Sequence, residues 1–106
     1  MDVTQSTESV AMTQLAENVY TEQHDIARIE SWAQQLDDEA QVAIRLADGA
    51  RVEGFVTVRP TIQVFRDGSG REGMNAMVRI DDAANPEHAH YLWLDHIVDI
   101  QRTGTA

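Results

Sequence analysis

Val42-Ala43-Ile44-Arg45-Leu46-Ala47-Asp48-Gly49-Ala50-Arg51-Val52-Glu53-Gly54-Phe55-Val56-Thr57-Val58 sets two apolar runs on either side of an Asp-Gly pair. The first run is Val42, Ile44 and Leu46; the second is Val52, Gly54, Val56 and Val58. Alternation with period two gives each run one apolar face, the pattern of a half-buried strand. Asp48-Gly49 supplies the positive φ angles that a two-residue hairpin turn needs. The stretch therefore predicts strand, turn and strand. Gly54 removes a side chain inside the second strand, where the chain must bend sharply or let another backbone approach, as a small barrel requires.

Upstream, Ile26, Ile29, Ala33 and Leu36 form one helical stripe with Trp32 beside it, predicting a helix over 21–37. Thr21 is suited to cap it, and Glu22 and Asp25 suit the positive end of its dipole. Residues 1–20 are rich in Thr, Ser, Gln and Glu and read as a flexible tail, although Met12, Leu15 and Val19 have helical spacing. Asp37, Asp38 and Glu39 form an acidic connection to the first strand.

Downstream, Ile62 to Phe65 reads as a third β segment, separated from the second by Arg59-Pro60, where proline offers no ladder donor. A glycine-rich turn, Asp67 to Gly73, precedes a strand in which Met74, Ala76, Val78 and Ile80 alternate with polar neighbours. The polar loop from Asp82 leads to a strand at His90–Leu94, and a last strand runs from Ile97 to Arg102. One domain at 21–102 is expected, with its β region at 40–102 and a short tail at 103–106. The fold class read from these elements is mainly β with one N-terminal α-helix: a small, strongly bent, antiparallel barrel of five or six strands.

This arrangement resembles the Sm-like barrel, and the resemblance reaches individual residues. Val42 to Val58 looks like the first Sm signature, and Gly73-Met74-Asn75-Ala76-Met77-Val78 resembles its end, where a Met-Asn pair opens a strand. Leu94-Asp95-His96-Ile97-Val98-Asp99-Ile100 resembles the second signature, in which a short turn joins the last two strands. The chain is most similar to an uncharacterised family of short bacterial proteins, a domain of unknown function with a variant Sm-like fold, and the resemblance implies that the barrel is of Sm-like, SH3-type form. In RNA-binding Sm proteins the pocket uses an aspartate three residues before the Met, the Asn after it, and an Arg-Gly pair. Here Asn75 matches, Arg71 stands in place of the aspartate, and Asp95-His96 replaces Arg-Gly. Asn75 and Arg71 are therefore the residues that an RNA reading would rest on. The exchange of arginine for a carboxylate would repel phosphate.

Charge points the same way. The net charge is −10, with residues 1–39 at −8 (nine acids, Arg28) and residues 40–106 at −2 (nine acids, seven arginines). Phosphate binding calls for a basic face, so RNA is not favoured by charge. The chain has no cysteine, which excludes disulfides, thiolate nucleophiles and cysteine-based metal sites. No basic and apolar leader opens the sequence and no run is long enough to span a bilayer, so a cytoplasmic protein without membrane contact is expected.

No catalytic constellation is present, and no enzyme activity, cofactor or metal is expected. Gly68-Ser69-Gly70-Arg71-Glu72-Gly73 spells G-x-G-x-x-G, but that fingerprint needs a helix after the glycines and a strand period follows here. Glu87, His88, His90, Asp95 and His96 are metal-ligand types without diagnostic spacing, and surface polar residues are the better reading. Tyr91 and Trp93 share one strand face, and Phe55 and Phe65 fall out of phase with their strands' main apolar sets. These four suggest a second hydrophobic surface, used for packing or for an interface. The expected function is a non-catalytic binding or assembly module acting as a homo-oligomer or with a protein partner; the alternative is an RNA-binding Sm-like protein with a degenerate nucleotide pocket.

Overall fold

A computed structural model of the chain describes residues 14–104. In order, the elements are β1 (Gln14–Leu15), α1 (Gln23–Gln35), β2 (Gln41–Leu46), β3 (Arg51–Val56), β4 (Gln63–Arg66), β5 (Glu72–Asn75), β6 (Met77–Asp82), β7 (Ala89–Trp93) and β8 (Ile97–Arg102). A single 3-10 turn, Leu94–His96, joins the last two strands.

The alternating runs pair as β2 and β3 in the antiparallel register Val42↔Gly54, Ile44↔Val52 and Arg45↔Arg51. The connection corrects the expected two-residue turn. Leu46 N–H donates to Ala50 O and Gly49 N–H to Leu46 O, both at 2.9 Å, so the loop is Ala47-Asp48-Gly49. Only Gly49 takes a positive φ, 93°, while the Asp48 carboxylate accepts the Ala50 N–H at 2.9 Å. This is the three-residue hairpin, a tight turn closed by one left-handed glycine.

Five strands form an antiparallel sheet in the order β7-β6-β3-β2-β8, and three form a smaller sheet in the order β1-β4-β5. The edge strands β7 and β8 do not pair with each other, so the strands make two bent, open sheets where a closed barrel of five or six was expected. Helix α1 packs against the Leu94–His96 turn, β5 and β8. Its stripe residues Ile29, Ala33 and Leu36 are buried with Val42, Ile44, Val56, Val78, Ile80, Leu94 and Ile97 in one core. The helix is shorter than expected: Glu22 occupies the cap position without a side-chain cap bond, and Thr21 lies outside.

The expected strand from Met74 divides at Ala76, with β5 in the small sheet and β6 in the large one. Ala76 is fully buried, and its N–H donates to the Asn75 Oδ1 at 2.8 Å instead of to a neighbouring strand. The side chain of Asn75 thus satisfies the backbone donor that the bend releases.

The tail assignment is corrected for residues 14–20. β1 runs parallel to β4, with Gln14 opposite Phe65 and Leu15 opposite Arg66. Tyr20 N–H donates to Met74 O at 3.0 Å, and Met74 N–H returns a bond to Tyr20 O at 2.7 Å. Composition alone missed this, because the segment is held by backbone pairing to strands far along the chain. The rest of the expected tail, residues 1–13, lies outside the described residues, as do residues 105–106 of the short C-terminal tail. Within the latter, Thr103 N–H donates to Gln41 O at 3.0 Å, which extends the β2–β8 pairing by one position.

Candidate functional site

The position equivalent to a nucleotide pocket is where Asn75 and the Leu94–His96 turn meet. The fold brings them together: Asn75 Nδ2 donates to Asp95 Oδ1 at 3.1 Å and to the backbone O of Asn18 at 2.9 Å. With Oδ1 taking the Ala76 N–H, both amide hydrogens and the carbonyl of Asn75 are engaged. Tyr20 OH donates to the other oxygen of Asp95 at 2.9 Å. Asn75 is 1% exposed, and the Asp95 side chain 5%. The segment before the helix therefore covers Asn75 and Asp95. The cavity left beside it, lined by Tyr20, Asp25, Arg28, Trp32 and Asp95, holds about 30 Å³. Small-molecule pockets run to roughly 300 Å³ or more.

Burial, then the hydrogen bond to the Asp95 carboxylate, pushes the Tyr20 hydroxyl pKa up from 10.0 to about 12. A phenol whose pKa is higher in the folded chain contributes stability that is complete below the unfolded value and is lost as pH rises through the folded one. An alkaline loss of stability between about pH 10 and about 12 is therefore expected. Denaturant titrations across this range check it, with Tyr20→Phe abolishing that part of the pH dependence; an unchanged profile in the variant would contradict the assignment.

Arg71 is not brought to Asn75. It sits at the end of the glycine-rich turn, four residues earlier on the β4–β5 hairpin, about 13 Å along an extended chain. The turn itself is closed by one carboxylate: Asp67 Oδ1 accepts from Ser69 N–H, Ser69 Oγ–H and Arg71 N–H at 2.8 to 2.9 Å. Those bonds hold the Asp67 carboxyl below its usual range, the Ser69 hydroxyl first. The G-x-G-x-x-G segment thus bonds its own aspartate and leads into β5, a strand.

The histidines separate into two places. His88 and His90 stack edge to face with ring centroids 4.7 Å apart, and His90 Nε2 meets Asp82 Oδ1 at 2.9 Å. His96 lies beyond β7, 3.3 Å from Glu17 and 3.8 Å from Asp95. Among the described residues no three His, Asp or Glu side chains converge as metal ligands.

The four aromatic candidates divide as well. Phe65 is 2% exposed and packs its edge on Trp93, with centroids 5.0 Å apart, so it belongs to the contact between the two sheets and not to an open surface. Trp93 is half-buried by that contact, and Phe55 is half-buried on β3. Tyr91, opposite Arg79 across the β6–β7 ladder, is 61% exposed. It lines a groove of about 390 Å³ with Val58, Pro60, Met77 and Arg79. Met77 was not singled out by sequence because it takes the polar phase of its strand, and Val58, counted with the apolar face of the second strand, falls past the end of β3 and is exposed.

The family model described as Domain of unknown function (DUF3247) matches residues 13–103. Among solved structures, the chain is similar to XC5848 from Xanthomonas campestris, described as adopting a novel variant of Sm-like motif. The two share 42% identity over 88% of this chain and 100% of the other, with a TM-score of 0.82. Among curated proteins, none matches the chain.

Proposed function

The chain belongs to this family of domains of unknown function, with the variant Sm-like fold, and we propose that it is a non-catalytic assembly module acting by self-association. One observation carries the reading: Val58, Met77 and Tyr91, exposed by 66%, 38% and 61%, meet in one groove beside β7, which among the described residues is an edge strand. Clustered apolar exposure of this kind marks a surface that another molecule covers. The charge distribution permits a second copy there, because the net −10 is concentrated in residues 1–39 and the β region is close to neutral.

RNA binding is the weaker reading on physical grounds. Both amide N–H groups of Asn75 are engaged and its side chain is buried, and Asp95 places a carboxylate where a phosphate contact would need a cation. The test of self-association is the mass of the full chain as a function of concentration, and its response to charge placed in the groove by the double substitution Val58→Glu, Met77→Glu. Both side chains face solvent, so the change costs little folding stability, on the order of 0.5 kcal/mol each.

A further inference from the structure

Backbone hydrogen bonds show which side of β7 is free. Leu94 N–H donates to Ala76 O and Asp82 N–H donates to His88 O, each at 2.9 Å. Between them the register pairs Val78 with Leu92, Arg79 with Tyr91 and Ile80 with His90. Hydrogen-bonded pairs alternate along an antiparallel ladder, so Val78–Leu92 and Ile80–His90 are bonded pairs and Arg79–Tyr91 is not. His88, His90, Leu92 and Leu94 thus direct their N–H and C=O groups toward β6. Ala89, Tyr91 and Trp93 direct theirs to the open edge, where among the described residues they have no backbone partner.

β7 also lacks the features that keep an edge unpaired. Ala89-His90-Tyr91-Leu92-Trp93 contains no Lys, Arg, Asp, Glu or Pro, although the chain as a whole carries −10. The opposite edge of the same sheet, β8, carries Asp99 and Arg102. In the small sheet the edge strand β1 is only two residues long.

Resting on the self-association proposed above, we infer that β7 pairs with β7 of a second copy, antiparallel, about a two-fold axis at Tyr91. In the register that uses every free group, Tyr91 faces its own equivalent and Ala89 faces the equivalent of Trp93. Three bonded pairs then exchange about six hydrogen bonds. The two five-stranded sheets become one of ten strands, and the interface is closed and isologous, which stops growth at the dimer. The side chains of Ala89, Tyr91 and Trp93 share the face that carries Met77 and Arg79, so the groove of each copy runs up to the join.

The chain has no cysteine, so Tyr91→Cys introduces its sole thiol. A bonded pair on the two-fold axis sets the Cα atoms about 5.5 Å apart, within the reach of a disulfide. In Ala89→Cys the two thiols are offset by four residues on each strand, roughly 13 Å or more. Under mild oxidation of the full-length variants at equal concentration, Tyr91→Cys is expected to form covalent dimer about tenfold faster than Ala89→Cys. Tyr91→Pro removes one outward N–H while leaving every bond to β6, so it should stay folded by circular dichroism and become monomeric. Equal cross-linking rates, or a folded Tyr91→Pro that still associates like the unaltered chain, would overturn the β7 pairing while leaving self-association standing. A chain of monomer mass at every concentration would remove both.

Discussion

Gly54→Ala is expected to destabilise the chain severely. Gly54 pairs with Asp82 across β3 and β6, and a Cβ added there would fall on the carbonyl oxygen of Asp81. It would also lie 2.8 Å from Ile80 Cγ2 and 2.9 Å from the Asp81 carbonyl carbon. Two of these three obstacles are backbone atoms, so no rotamer change relieves the overlap. β6 must move away from β3, and β6 carries the buried Val78 and Ile80 at the centre of the core. A loss above about 3 kcal/mol is expected, a large part of the roughly 5 to 15 kcal/mol typical of a domain. Gly68→Ala is the control, since nothing lies within 4 Å of its added methyl. Urea denaturation of both variants checks this; a Gly54→Ala chain within about 1 kcal/mol of the parent would contradict the close approach.

Asn75→Ala is expected to cost roughly 2 to 4 kcal/mol, because it leaves a buried backbone N–H and two part-buried acceptors short of a partner. Those groups are the Ala76 N–H, the Asn18 carbonyl and one oxygen of Asp95. The companion variant Asn75→Asp separates this polar role from simple volume. It sets a second carboxylate about 3 Å from that of Asp95, and like charges at such a distance force one group to hold its proton. The folded pKa of the pair is thereby raised above the unfolded value, so the variant is penalised at pH 7 and the penalty shrinks as pH falls toward about 4. Asn75→Ala has no new acid and should keep its deficit across the same range. Denaturant midpoints at several pH values read both, and a pH-independent deficit in Asn75→Asp would contradict the pairing with Asp95.

The parts of the fold that were legible in the sequence are those set by local spacing. Val42, Ile44, Val52 and Val56 alternate because β2 and β3 bury one face, and Gly54 marked the point where β6 comes close. The helix stripe Ile29, Ala33 and Leu36 was legible for the same reason. The hairpin loop gained a residue because Asp48 bonds Ala50 through its side chain, leaving Gly49 alone to take the positive φ. Closure of the barrel was not legible: whether β7 and β8 meet depends on the bend of every strand between them.

Asn75 shows how far residue matching carries at the candidate site. The resemblance groups it with Asp95-His96, and in the structure it lies 3.1 Å from Asp95. Its environment was not legible, because Asn18 and Tyr20 come from a stretch whose composition resembles a loose tail and whose order rests on backbone pairing with Met74. Phe65 was misplaced for a related reason: its partner Trp93 lies in a different sheet. Which groups of β7 face away from β6 is a property of ladder phase, which no single residue type signals.

Self-association is best measured as molar mass by sedimentation equilibrium on the full chain, from about 1 to 100 µM, a range that brackets an association free energy near −7 kcal/mol. The mass should climb from that of one 11.9 kDa chain toward twice that value, and Val58→Glu, Met77→Glu should hold it at the lower limit. A mass of one chain throughout the range, or a rise that the double variant follows unchanged, would contradict association through the groove.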